Sequence, residues 1–110
     1  MHTITVASSA REEMIDITSD VEKLLRETDR QTGVCVLFVQ HTTCGLTVNE
    51  NADPDVRRDL ESIFSRLAPD GDPVYRHDTE GDDDVAAHAR SILTSNSITI
   101  PVTDGRLTVD

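Results

Sequence analysis

Apolar positions along the chain follow two different periods, and the switches between them predict the elements. Residues 2–6, HTITV, and residues 13–17, EMIDI, alternate apolar and polar side chains as half-buried strands do, and the SSAR between them predicts a hairpin. Ser19 with Glu22 three residues later has the form of a capping box, in which each side chain satisfies the other residue's free backbone N–H. Val21, Leu24 and Leu25 then continue as a helical stripe that Gly33 is expected to close.

VCVLFVQ, residues 34–40, has the unbroken apolar character of a strand buried on both faces, and GLTVNE resumes strand character after the His41-Thr42-Thr43 break. Asp53-Pro54 reads as an N-cap and first helical residue, because the carboxylate accepts free N–H groups and proline has none to leave unsatisfied. Val56, Leu60, Ile63, Phe64 and Leu67 follow at helical spacing and predict one face against a sheet. A turn-rich APDGDP loop comes next. A third helix is expected to start within the acidic run EGDDD, with Val85, Ala89 and Ile92 inward. SITIPVT and RLTV flank Asp104-Gly105, a pair that favours positive φ and hence a hairpin, while Pro101 predicts an edge strand or a bulge. The order β-β-α-β-β-α-α-β-β departs from strict βαβ alternation and predicts an α+β fold with an antiparallel sheet and about three helices.

At 110 residues the chain fits one domain. With no Trp, one Tyr and two Phe, its core must be aliphatic. Asp and Glu outnumber Lys and Arg by 21 to 10, so the net charge of -11 argues against nucleic acid as a partner and describes either a high-salt or an ordinary soluble surface. No apolar run approaches the roughly 20 residues of a membrane span, and the N-terminus lacks the basic start and apolar centre of a signal peptide. A cytoplasmic location is expected, with Cys35 and Cys44 as thiols, Cys44 packed as a small buried group.

Chemistry-bearing residues concentrate after the most apolar stretch. His41, Thr42, Thr43, Asn49, Glu50 and Asn51 crowd one segment, His77 follows Tyr75-Arg76 in a loop, and His88 falls beside the apolar stripe of the third helix. Three converging imidazoles would suit zinc or another divalent ion, although each histidine alone is equally at home in a core or on a surface. Glu50 and Glu80 could orient imidazoles or move protons; Asp82 and Asp83 suit helix capping and solubility. The chain has no phosphate-binding glycine loop, nucleophile elbow or CxxC pair, so a phosphate would meet a metal, Arg76, Arg90 or Arg106.

Taken together, HTTCGLTVNENADPDVRRDL, YRHDTEGDDDVAAHARSIL and SITIPVTDGRL resemble the YjbQ family of secondary thiamine-phosphate synthases, matching its HTT, NEN-x-DP, YRH, helical AH and I-P-V-x-x-G-x-L segments in order. The resemblance implies one YjbQ-like domain over residues 1–110 with a mainly antiparallel β-sandwich-like core, assembled as a homotrimer. It also implies a weak transferase joining a hydroxymethylpyrimidine diphosphate to a thiazole phosphate with release of pyrophosphate. A divalent ion, zinc or magnesium, would be held by His41, His77 and His88; His41 and Glu50 would serve catalysis, and Thr42, Thr43, Asn51 and Arg76 would meet the small phosphorylated substrates. The alternatives are a metal- or anion-binding oligomer with incidental synthase activity, and an oligomeric scaffold whose polar pocket fixes strand and helix ends. Two departures stand out. Family chains continue after G-x-L with Leu-Gly-Thr-Trp-Gln and further strand, where this one ends at Asp110, and Asp84 and Val85-Ala86 stand where Asn and a Met-Pro pair are usual.

Overall fold

The computed structural model describes residues 1–10 and 13–109. Among the described residues three helices and a three-stranded sheet make up the α+β architecture: α1 (Thr18–Glu27), β1 (Gly33–Phe38), α2 (Pro54–Leu67), α3 (Asp84–Leu93), β2 (Ser97–Thr103) and β3 (Arg106–Leu107), with strand order β1-β2-β3. Two compact units are distinguished, one formed by Met1–Leu37 with Thr99–Asp110 and the other by Phe38–Ile98.

In the first unit β2 and β3 pair antiparallel, Val102 opposite Leu107 and Thr103 opposite Arg106. Asp104 and Gly105 connect them with φ of 53° and 75°, the positive values a two-residue hairpin demands. Pro101 sits on the central strand, contrary to the expected edge. Thr108 N–H donates to the Pro101 carbonyl at 2.8 Å, so the missing proline N–H falls on the β3 side, where the ladder stops. Val21, Ile100, Val102 and Leu107 are the buried core here, and α1 packs against β3.

The start and stop of α1 differ from the capping-box expectation. Asp16 Oδ1 accepts the Thr18 N–H at 2.9 Å, and the Glu22 carboxylate takes Arg106 Nε at 3.3 Å instead of reaching back to Ser19. Thr28 and Asp29, the latter at φ 56°, end the helix before Gly33, which belongs to β1. Residues 2–6 and 13–17 lie outside every strand. Alternation gives a segment two faces but not the partner backbone a ladder needs; the turn itself is tied to the second segment, the Ser9 N–H and hydroxyl donating to the Glu13 carboxylate at 2.8 and 3.0 Å. Those bonds hold the Glu13 carboxyl below its ordinary pKa. Arg11, the last residue of the SSAR turn, lies outside the described residues.

β1 is not buried on both faces: Val34, Val36 and Phe38 point outward, 64, 62 and 63% exposed. An unbroken apolar run signals that both faces are apolar, not that both are covered.

In the second unit Asp53 caps α2 as expected, its carboxylate accepting the Asp55 N–H at 2.9 Å with Pro54 in the first turn. The α2 stripe stays half-exposed, with Ile63 and Leu67 open to solvent and Ala68, just past the helix, buried. α3 begins inside the acidic run, but its most buried residue is Ala86, and Ile92 is 82% exposed instead of inward. Residues 45–50 form no strand, only an isolated antiparallel bridge between Leu46 and Ser95. That bridge lays the segment from His41 along the end of α3, where Ser91 Oγ also donates to the Cys44 carbonyl at 2.7 Å. Gly45 is required by this approach: a Cβ there would overlap Thr94 Oγ1 and lie 3.0 Å from Thr94 Cβ.

Candidate metal centre

Asp84 and His88 lie one helical turn apart on α3, so their side chains share a face. His77 reaches the same point from the loop before the helix. Asp84 Oδ2 is 3.0 Å from His77 Nε2 and 3.2 Å from His88 Nε2, and the two rings meet edge to face with centroids 6.1 Å apart. Among the described residues these three are the group whose ligand atoms fall within 4.8 Å of one another.

The hydrogen bond behind His88 decides what the group can hold. His88 Nδ1 is 3.0 Å from the Thr42 carbonyl oxygen. A carbonyl can only accept, so Nδ1 carries the proton and neutral His88 presents a lone pair at Nε2. That lone pair faces the Asp84 carboxylate. Acceptor opposes acceptor unless a cation, or a second proton on the ring, stands between them. Asp84 Oδ2 is itself shielded from solvent and has no aligned hydrogen-bond donor. Metal–nitrogen bonds of 2.0–2.1 Å place tetrahedral ligands roughly 3.3 Å apart, close to the observed spacings. Two imidazoles and a carboxylate, one imidazole oriented by a backbone carbonyl, therefore fit a zinc-like divalent ion better than magnesium, which prefers an all-oxygen shell.

The other expected site residues are placed differently. His41 is exposed and lies outside the group of three; with Thr42 and His88 it lines an open groove of about 800 Å³. Thr42 serves the group through its backbone oxygen. Thr43, Glu50, Asn51 and Arg76 are exposed, and the Glu50 N–H is bonded to Asn49 Oδ1 at 2.7 Å. Asp84 is the residue whose part in the group was missed. Its spacing in Asp84-x-x-x-His88 is the signal that could have found it.

Among the described residues no Asp, Glu, Lys or Arg lines the groove, although the chain carries a net charge of -11; Phe38, Val39 and Ile92 line it together with imidazole, hydroxyl and amide side chains. A smaller hollow of about 140 Å³ opens at His77, beside Tyr75, Asp78 and Val85. Cys44 is exposed, not buried, and both cysteines are free thiols; burial pushes the Cys35 thiol pKa up.

Residues 2–110 match the family described as UPF0047 protein YjbQ-like. The chain is 41% identical to the UPF0047 protein sll1880 of Synechocystis over 94% of its own length and 71% of that protein's. It is 40% identical to the UPF0047 protein YugU of Bacillus subtilis, over 97% of this chain and 79% of the relative. The crystal structure of a conserved YjbQ/UPF0047 protein from Clostridium acetobutylicum superposes with a TM-score of 0.87 at 36% identity, covering 96% of this chain and 78% of that one.

Proposed function

The chain belongs to the UPF0047 YjbQ-like family, and on that footing we propose that it holds a divalent ion at His77, Asp84 and His88 and acts as a weak thiamine-phosphate synthase. The reaction joins a hydroxymethylpyrimidine diphosphate to a thiazole phosphate and releases pyrophosphate. The observation that carries the ion is the solvent-shielded Asp84 oxygen set between two imidazole nitrogens without an aligned donor; the reaction is the one the family resemblance implies.

When bound, the ion supplies positive charge to the oxygens of the departing diphosphate. The remaining work falls to the chain. Thr42 fixes His88 in the tautomer whose Nε2 is free to bind. The groove beside His88 offers an uncharged bed for a heterocycle, with Phe38 and Ile92 as its apolar wall, and it keeps the acidic surface away from an anionic substrate. Proton handling is assigned to His41, which lines the groove; Glu50 is not part of the group. Arg76, which precedes His77 in the chain, is assigned to meet a substrate phosphate.

We also assign the protein to the cytoplasm and to a homotrimer. Among the described residues no helix is long and apolar enough to cross a membrane. The outward row of Val34, Val36 and Phe38 supports assembly, since it leaves an apolar strand face for another copy to cover.

Incubation of the protein with both precursors, with and without zinc, tests the activity through the release of thiamine phosphate and pyrophosphate. Slow turnover that disappears on chelation and in His88→Ala is expected; no product at any metal concentration rejects the synthase. The cluster of His77, Asp84 and His88 favours one second reading, a metal- or anion-binding protein with incidental synthesis, which would bind zinc tightly yet turn over only negligibly.

A further inference from the structure

One helix supplies two of the three metal-site residues, and its opposite face fastens the segment that brings the third. Residues 84 and 88 define one side of α3; residues 86 and 90, turned roughly 160° away at 100° per residue, define the other. Ala86 is fully buried on that second side. Arg90 extends from it, with its side chain only 17% exposed, donates from Nη2 to the Ala68 carbonyl at 2.7 Å and stands 3.7 Å from the Asp70 carboxylate. From there the chain turns past the N-terminal end of α3, where Gly71 N–H donates to the Asp82 carbonyl at 2.8 Å. Tyr75 Oη donates back to the Pro69 carbonyl at 2.7 Å, and two residues later His77 arrives on the Asp84–His88 side.

We infer that Arg90 is a positioning residue for the metal centre: by clamping residues 68–70 it sets where the strap through Tyr75 delivers His77. This rests on the metal reading given above. His77 needs such a device because it is the most exposed of the three and sits in a loop, where its imidazole has no helix of its own to hold it. Both contacts run from Nη2; the rigid guanidinium plane fixes where that nitrogen stands, whereas the ammonium of lysine rides on a flexible stem. Tyr75 makes the second fastening with a single hydroxyl.

Cobalt(II) titration followed by visible absorption tests this on the full chain, because the d–d bands report how many ligands bind. Arg90→Lys should weaken cobalt about tenfold, the lower end of the range for residues that orient ligands, and should reshape the spectrum toward that of His77→Ala with far-ultraviolet circular dichroism unchanged. In the His77→Ala background Arg90→Lys should add no further loss. Tyr75→Phe removes only the strap's hydroxyl bond and should move the spectrum the same way, which decides the matter if Arg90→Lys does not fold. Unchanged affinity and spectrum in the folded variants, or an equal loss with and without His77, would overturn the positioning role while leaving the metal site standing. Failure of the unaltered protein to bind cobalt would overturn both.

Discussion

Replacing Asp84 by Asn should reverse the stability order of the two proteins depending on whether metal is present. In the metal-free protein the Asp84 carboxylate faces the lone pair of a neutral His88 and lacks an aligned donor. An amide of the same size removes the charge and offers an N–H to that lone pair, a gain of about 1 kcal/mol at most for one new hydrogen bond. With zinc, the sign changes. At a free concentration one hundred times the dissociation constant, the unaltered protein gains about 2.7 kcal/mol from binding. If losing one of three ligands weakens zinc about a hundredfold, the variant gains only about 0.4 kcal/mol at the same concentration. The difference of about 2.3 kcal/mol, at about 4 °C per kcal/mol for a domain of this size, amounts to roughly 9 °C. Thermal unfolding in chelator and in excess zinc reads both limits: Asp84→Asn should melt at or slightly above the parent in chelator and well below it in zinc. Parallel curves, with the same order under both conditions, would mean that Asp84 does not serve a cation.

Further expectations follow from packing and exposure. Gly45→Ala should cost about 1–3 kcal/mol, because the added methyl overlaps the Thr94 side chain and must push the 41–46 segment off α3; a loss of metal affinity should accompany it as Thr42 moves from His88, and an unchanged melting temperature would contradict the close approach. A thiol reagent should modify exposed Cys44 before half-buried Cys35, whose raised pKa keeps it protonated, as mass spectrometry of partially labelled protein would show; the reverse order would place Cys44 inside. Since folding favours the neutral Cys35 thiol, its contribution to stability is complete below the unfolded pKa and falls as pH rises through the folded one. Val36→Asp should convert a trimer to monomers in sedimentation velocity while leaving the secondary structure intact; a trimer that survives it does not use the outward face of β1.

Local chemistry made much of the fold legible. Asp53-Pro54 and Asp104-Gly105 are recognisable because a carboxylate cap and a positive-φ turn are decided within two or three residues. What depended on a distant partner was not. Alternation at residues 2–6 and 13–17 could not reveal that these segments would lack a ladder, and the apolar run of β1 could not reveal that one of its faces would stand open. Helical periodicity marked α3 but put Ile92 on its inner side, whereas Ala86 and Arg90 take the packed face, because small or charged residues carry little weight in an apolar pattern. At the candidate metal centre, imidazoles drew attention to His41, His77 and His88, of which only the last two meet. Asp84 lay hidden in a run of acidic residues that suits a helix start equally well, and only its placement against both rings distinguishes it from its neighbours.

The most direct measurement is calorimetric titration of zinc into chelator-treated protein, paired with elemental analysis after purification without chelator. A metal centre at His77, Asp84 and His88 predicts one zinc per chain, lost or greatly weakened in His77→Ala and His88→Ala and retained in His2→Ala. No saturable binding, or binding that survives removal of both His77 and His88, would contradict it and leave the two imidazoles and Asp84 as a charged contact that fastens the loop to α3.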